Sequence, residues 1–342
     1  MSDGRFAMLV APSEFSLDRR PPGDPARGQA RVRVRDCGVC GSDLKMWAGT
    51  HAFLRPPLLL GHEIYGRVEA VGEAAGQFGP GEDVVVFPAV GCGSCFHCVG
   101  GHEQLCADMR FYGGQLPGGL AEHLIVAETN LLPVPAGIPE LQRVLIEPLA
   151  VGVHAVSRGA AEAGECAVVL GAGAIGLFTA LVARARGLDV VVFEPSAIRR
   201  ERAAALGLHA VDADGTPVRE VVAELVRPEG ADVVFECVGS GKTIAEALAA
   251  TRKGGRAVVV GNAPPTVEID GLDLQRGDRS LVGVLMYERG DFIDAMDLLA
   301  GGLLSTLPES SIVQRFALDD VDSAFATSKD GTLRALRAVV QP

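Results

Sequence analysis

The period of the hydrophobic positions changes near residue 147 and divides the chain in two. Before that point apolar runs are short and broken by glycine and proline. Ala30-Arg31-Val32-Arg33-Val34-Arg35 alternates with period two, the pattern of a half-buried strand. Asp83-Val84-Val85-Val86-Phe87 and Glu122-His123-Leu124-Ile125-Val126 predict further strands, with turn signals such as Gly79-Pro80-Gly81 between them. After Glu147, strands and helices alternate. The order is strand Cys166 to Leu170, helix Leu177 to Arg186, strand Val190 to Phe193, helix Arg199 to Leu206, strand Ala231 to Phe235, helix Thr243 to Thr251 and strand Arg256 to Val260. Such alternation implies right-handed βαβ units on a parallel sheet. The tail predicts a helix from Phe292 to Ala300, a strand from Ile312 to Phe316, a helix from Val321 to Ser328 and an apolar run from Leu336 to Val340. The expected organisation is therefore α/β. A doubly wound parallel-sheet domain spans 149–286, and a mostly β domain spans 1–148, to which 287–342 returns.

The first predicted strand of the second half runs into Gly171-Ala172-Gly173-Ala174-Ile175-Gly176, a G-x-G-x-x-G turn that opens a helix. The first glycine permits the tight turn, the second lets the backbone approach a pyrophosphate, and the third lets helix pack on strand. The helix N-terminus adds free N–H groups and a positive dipole end. Glu194 closes the next strand, 18 residues beyond Gly176. A carboxylate there accepts from both ribose hydroxyls and repels a 2′-phosphate, which favours NAD over NADP. Arg199, Arg200 and Arg202 follow closely and offer a phosphate partner instead.

Four of the eight cysteines, Cys92, Cys95, Cys98 and Cys106, fall within fifteen residues in the pattern C-x2-C-x2-C-x7-C. Three readings compete. A disulfide suits such short spacing less well than a metal does. An iron–sulfur run would continue x3-C-P, whereas here the fourth cysteine follows seven residues and precedes Ala107. Tetrahedral zinc fits best, and a shell of four thiolates leaves no open position for chemistry. Cys166 and Cys237 lie beside predicted strands and read as small buried hydrophobes.

Composition narrows the partners. The chain has 342 residues, enough for two domains, with 48% hydrophobic and 22% charged residues. A net charge of −12 argues against nucleic acid or anionic lipid as the main partner. No apolar run approaches the roughly 20 residues of a membrane span. The start, Met1-Ser2-Asp3-Gly4-Arg5, lacks the basic-then-apolar pattern of a secretory leader. Clustered thiols without a leader point to the reducing cytoplasm.

Three further segments carry candidate chemistry: Cys37-Gly38-Val39-Cys40-Gly41-Ser42-Asp43, Gly61-His62-Glu63-Ile64-Tyr65-Gly66 and Glu147-Pro148-Leu149. A cysteine, a histidine and carboxylates brought from distant loops would make a mixed zinc shell with an open position. Each also has an ordinary reading, as a small buried thiol, a satisfied loop histidine or a solvated charge.

Gly61-His62-Glu63-x2-Gly66-x5-Gly72, the four-cysteine lobe and Ile146-Glu147-Pro148-Leu149-Ala150 together resemble the zinc-dependent medium-chain alcohol dehydrogenase family over nearly the whole length. The polyol (sorbitol-like) and threonine dehydrogenase branch fits best. The resemblance implies a GroES-like catalytic domain beside the Rossmann domain, and two zinc ions per chain, one catalytic and one structural. It implies Cys40, His62, Glu63 and Glu147 around the catalytic zinc, with Glu63 exchangeable and Glu147 direct or water-mediated. It places Cys92, Cys95, Cys98 and Cys106 on the structural zinc. Asp43 would orient the His62 ring, and Ser42 would take the proton of an alcohol whose hydride passes to NAD. Cofactor contacts are implied at Gly171, Gly173, Ala174, Ile175, Gly176, Glu194, Arg199, Val238 and Gly261, with the stretch near Leu285 as a further candidate.

Lys45 stands where many relatives carry a proton-relaying histidine, so it is expected to relay, or to hold a substrate hydroxyl or the cofactor ribose. Trp47 walls the substrate pocket or belongs to the core. The activity implied is oxidation of a secondary alcohol in a polyol, sugar or cyclitol-like molecule. Threonine-, glucose- and aminocyclitol-type activities are alternatives, and a catalytically silent zinc- and nucleotide-binding protein is a reading of another class. Relatives are commonly homodimers or homotetramers.

Overall fold

The computed structural model describes residues 3–212 and 215–342; Met1 and Ser2, the first residues of the segment read for a leader, lie outside it. The chain forms two compact units. One runs up to Glu147 and includes Met296–Gly302 and Pro308–Pro342; the other comprises Pro148–Ala295 and Leu303–Leu307.

The first unit is built on a seven-stranded sheet. Its strand order is Val313–Ala317, Arg337–Gln341, Gln29–Gly38, Glu63–Val71, Asp83–Val86 and Leu131–Pro133, with His123–Ala127 also paired to Gln29–Gly38. Val339 and Val340 pair with Gly38 and Cys37, so the apolar tail completes this sheet. Val32, Val34, Ile64, Val68, Val84, Val86, Leu124 and Val126 pack into one core. The alternation of the first predicted strand is interrupted at Arg31, which is buried rather than outward in water. Its guanidinium bonds Glu69 at 2.8 Å and the Gly23 carbonyl at 2.6 Å, which satisfies the charge beneath the sheet surface. The hairpin Gly4–Ala11/Glu14–Arg20 and the helix Gly41–Trp47 were not legible in the pattern. The strand Glu63–Val71 was also missed, so Glu63 opens a strand and Ser42 and Asp43 sit on a helix, where loops were expected.

The second unit holds a six-stranded, all-parallel sheet. Its order is His209–Val211, Asp189–Phe193, Cys166–Leu170, Ala231–Glu236, Thr251–Val259 and Ser280–Gly283. Chain order reverses between Cys166–Leu170 and Ala231–Glu236, and the carboxyl ends at that reversal form the crevice where open parallel sheets bind ligands. Every residue of Ala231–Glu236 is buried, as expected of a strand covered on both faces. The helix expected from Leu177 begins at Ala174, capped by Gly173, so the glycine turn feeds it directly. Residues 287–295, expected with the first domain, belong to the second unit. There the Asp291 carboxylate bonds the His154 ring at 2.8 Å and the Glu288 amide at 2.7 Å, and the Tyr287 and Phe292 rings meet at 4.9 Å.

Candidate functional site

In the first unit, Cys40 is the N-cap of the helix Gly41–Trp47. The Asp43 carboxylate turns back to accept from the Cys40 amide at 2.9 Å, which fixes the start of the helix. The other Asp43 oxygen faces His62 Nδ1 at 3.3 Å. On the opposite edge of that ring, Nε2 lies 3.5 Å from the Ser42 hydroxyl. Glu63 is fully buried, and Gly38 on the paired strand is what admits it, since a Cβ at Gly38 would run into the Glu63 carboxylate.

One ligand atom each from Cys40, His62 and Glu63 lies within 4.8 Å of the others. The donor set is thiol, imidazole and carboxylate, the mixture a zinc with an open position takes. Glu63 Oε2 is buried without a hydrogen-bond partner. Arg337 Nη2 approaches Glu63 Oε1 to 2.7 Å, an ion pair whose angles fall outside those of a hydrogen bond. A buried carboxylate oxygen without a hydrogen-bond donor, beside a thiol and an imidazole, fits a cation. Glu147 is buried in the first turn of the helix Ile146–Arg158 and lies outside that three-residue group, yet its charge acts on both Glu63 and Arg337.

Burial raises the Cys40 thiol, but the hydrogen bond and charge of His62, with the Arg337 charge, bring it down to about 7. The His62 ring is disfavoured as a cation by burial and is nonetheless held well above its ordinary value, chiefly by Asp43. Burial pushes Glu63 well above the usual carboxylate range, against the pull of Arg337, with Cys40 and Glu147 adding repulsion. The thiolate is the form that binds metal.

The second cluster is separate. The sulfurs of Cys92, Cys95, Cys98 and Cys106 also lie within 4.8 Å of one another. Backbone N–H groups of Ser94 and Cys95, with the Ser94 hydroxyl and Cys106, bring Cys92 down to about 6. Burial and the neighbouring sulfurs push Cys98 up to about 12, against the Gly93 amide. Four sulfurs converging within reach of one centre fit a tetrahedral divalent ion.

In the second unit, the Gly171–Gly176 turn lies at the reversal of strand order. A Cβ on Gly176 would collide with the Gly171 carbonyl, so only glycine lets the helix approach the turn. Glu194 is 4% exposed and accepts from the Ala172 amide at 2.7 Å and the Ser196 amide at 3.0 Å. The three nearby arginines divide. Arg200 bonds the Glu194 and Pro195 carbonyls and Asp212, and Arg202 bonds the Ala172 carbonyl. Arg199 stays 41% exposed, 3.7 Å from Glu194. Val238 is exposed beside the turn, and Gly261 packs against Gly239. Cys166 and Cys237 are half-buried rather than buried, and desolvation raises them to about 11 and about 12.

Lys45 is exposed on the same helix as Ser42. Trp47 belongs to the core, its ring 5.9 Å from that of Phe325. Three residues near these groups escaped the sequence reading. Arg337 was visible only as a lone charge in an apolar run, and His51 and Arg55 only as bases following Lys45.

Two family models match the chain: "Alcohol dehydrogenase GroES-like domain" over residues 26–136 and "Zinc-binding dehydrogenase" over residues 174–301. The chain is 36% identical over 339 residues to 2-dehydro-3-deoxy-L-galactonate 5-dehydrogenase of Pseudoalteromonas atlantica, covering 98% of each. It is 29% identical over 333 residues to a sorbitol dehydrogenase of Halalkalibacterium halodurans, covering 96% of each. Its fold matches a structure described as a zinc-binding dehydrogenase of Sinorhizobium meliloti bound to NADP, with TM-score 0.92, 29% identity and complete coverage of both chains.

Proposed function

The chain belongs to the zinc-dependent medium-chain alcohol dehydrogenase family, and from that membership we propose that it oxidises a secondary hydroxyl of a polyol or sugar acid to a ketone, with NAD as hydride acceptor. The convergence of Cys40, His62 and Glu63, with the Ser42 hydroxyl 3.5 Å from His62, carries this reading. The 36% relative named for a sugar acid favours that class over the 29% relative named for sorbitol.

Cys40, His62 and Glu63 would hold the catalytic zinc, Glu147 would join it directly or through water, and the four-cysteine lobe would hold a structural one. Zinc supplies Lewis acidity toward the hydroxyl oxygen. Ser42 Oγ takes the substrate's proton and passes its own on, since the hydroxyl is half-buried beside His62 on the helix Gly41–Trp47. Asp43 fixes the tautomer of His62 through Nδ1, leaving Nε2 for the metal. Arg337 balances the buried charge of Glu63 and limits its basicity.

The nicotinamide cofactor binds along the Gly171–Gly176 turn, with Gly173, Ala174 and Ile175 at the helix start and Val238 and Gly261 beside it. Glu194 meets the ribose hydroxyls. Because Arg200 and Arg202 are committed to backbone carbonyls, only Arg199 could serve a 2′-phosphate, which supports NAD over NADP. Among the described residues no helix is long and apolar enough to cross a membrane. Eight unpaired cysteines support a reducing, cytoplasmic setting. Exposed Leu281 and Leu285, on and just after the sheet's edge strand, support a homodimer or homotetramer. The test is a panel of polyols, sugar acids and amino alcohols with NAD and NADP, read by absorbance of the reduced nicotinamide. Turnover of secondary alcohols with NAD is expected, and none on the whole panel sinks the reading.

A further inference from the structure

Between Asp43 and Glu63 nineteen residues pass without a carboxylate, in a chain that carries 43 of them. The same stretch contains Lys45, His51 and Arg55. The structure folds these three toward one place. The helix Gly41–Trp47 buries Asp43, Met46 and Trp47, leaves Ser42 half-buried and exposes Lys45. Side chains three apart on a helix are neighbours, with about 5–6 Å between their Cβ atoms. Lys45 therefore sits one turn beyond the proposed proton acceptor, on the same face.

The following loop bonds back to the last turn of the helix. The Lys45 carbonyl accepts from the Thr50 amide at 2.9 Å and the His51 amide at 3.0 Å. His51 Nδ1 in turn accepts from the Leu54 amide at 3.1 Å and the Phe53 amide at 3.3 Å. A ring nitrogen that accepts carries no proton, so His51 is neutral and presents an Nε2–H donor. Burial, with the charges of Arg55 and Lys45, holds its pKa below the ordinary value, in keeping with that tautomer. Arg55 Nη1 braces the loop by bonding the His51 and Leu54 carbonyls. No carboxylate pairs with Arg55 among the described residues, and a guanidinium has five donors, so three N–H groups remain.

Resting on the secondary-alcohol reading above, we propose that Lys45, His51 and Arg55 form a carboxylate-binding recess that takes the acid end of a sugar-acid substrate while Ser42 meets its reacting hydroxyl. The spacing suits the pair. A carboxylate and a hydroxyl-bearing carbon four bonds along a chain span a distance comparable to one helical turn. A lysine supplies the point charge, an arginine the planar fork and a neutral histidine a single directed donor. This also gives Lys45 a task that does not require it to lose its proton.

The test uses the full-length zinc-loaded protein. The acids are 2-dehydro-3-deoxy-L-galactonate and L-galactonate; the neutral comparators are L-galactonamide and galactitol. The wild type is expected to favour the better acid over the neutral molecules by tenfold or more in kcat/KM. Lys45→Met should cut that acid-to-neutral ratio at least tenfold, mainly through KM for the acid, and Lys45→Arg should restore most of it. Arg55→Met should lower the same ratio by a smaller factor. Neutral substrates matching the acids, or an unchanged ratio in Lys45→Met, overturns the recess while leaving the dehydrogenase reading intact. Failure to oxidise any secondary alcohol overturns both.

Discussion

Arg337 Nη2 lies 2.7 Å from Glu63 Oε1, and both side chains are buried, at 9% and 0% exposure. The two residues come from strands 274 positions apart in the sequence that flank the same central strand, Gln29–Gly38. Each burial is tolerable because of the other, since an uncompensated buried charge costs several kcal/mol.

Arg337→Met is therefore expected to destabilise the protein by about 3–5 kcal/mol in denaturant unfolding, the usual cost of breaking a buried pair from one side. Adding Glu63→Gln to that variant should recover part of the loss. Strictly additive losses in the double-mutant cycle would mean the two residues do not interact.

Ser42→Ala should lower kcat by roughly 10²–10⁴, the range for a lost acid–base group, with zinc content unchanged. Ser42→Thr, which keeps the hydroxyl, should retain most activity. Steady-state rates and metal analysis on the same preparations check this, and an alanine variant as fast as wild type would remove Ser42 from the proton path.

Cys95→Ser is expected to reduce zinc from about two to about one per chain. It should also lower Tm, because the three remaining thiols lose the ion that ties the loop together. Folded variant that keeps its second zinc should still transfer hydride. If it does not, the division between a structural and a catalytic zinc is wrong.

Glu194→Ala should move the NAD-to-NADP ratio of kcat/KM toward NADP by about tenfold or more, because a carboxylate at the ribose repels the 2′-phosphate. Arg199→Ala in that background should reverse part of the gain. A wild type that already prefers NADP would contradict the role given to Glu194.

Asp83 supplies a pH-dependent contribution. Burial raises its pKa, but Arg67 at 2.9 Å and Arg143 at 2.6 Å outweigh that and hold it below the usual carboxylate value. A group whose folded pKa is depressed contributes stability above its unfolded pKa and loses it as pH falls through the folded one. The loss thus begins near the ordinary carboxylate pKa, about 3.9, and is complete only at more acid pH. Asp83→Asn should lower Tm at pH 7, and the gap from wild type should narrow as pH falls below the ordinary carboxylate pKa and close once the folded-state carboxylate is protonated. A gap that stays constant with pH would show that Asp83 acts without its charge.

The period of the apolar positions placed four of the six strands of the parallel sheet, because strands buried on both faces leave unbroken hydrophobic runs, and missed the short edge strands His209–Val211 and Ser280–Gly283. Ala231–Glu236 and Cys166–Leu170 are of that kind. Short elements were less legible. The helix Gly41–Trp47 is seven residues long, begins with glycine and is held largely by the Asp43–Cys40 cap, a contact no periodicity reveals. The tail Leu336–Val340 read correctly as apolar, but its partners, Cys37 and Gly38, lie some 300 residues away.

By itself the sequence determined the chemistry on offer: the thiols, the imidazole, the glycine turn and the acid that follows it are properties of residue type and local spacing. Only the tertiary structure decided which of these meet. It brought Cys40, His62 and Glu63 together, left Glu147 just outside that group, set Arg337 against Glu63 and buried Trp47. It also bonded the His51 amide to the Lys45 carbonyl and Arg55 to the His51 carbonyl. The reason is physical: a buried charge or an orphaned ligand atom is satisfied by whatever the fold brings to it, and strand pairing brings residues from anywhere in the chain.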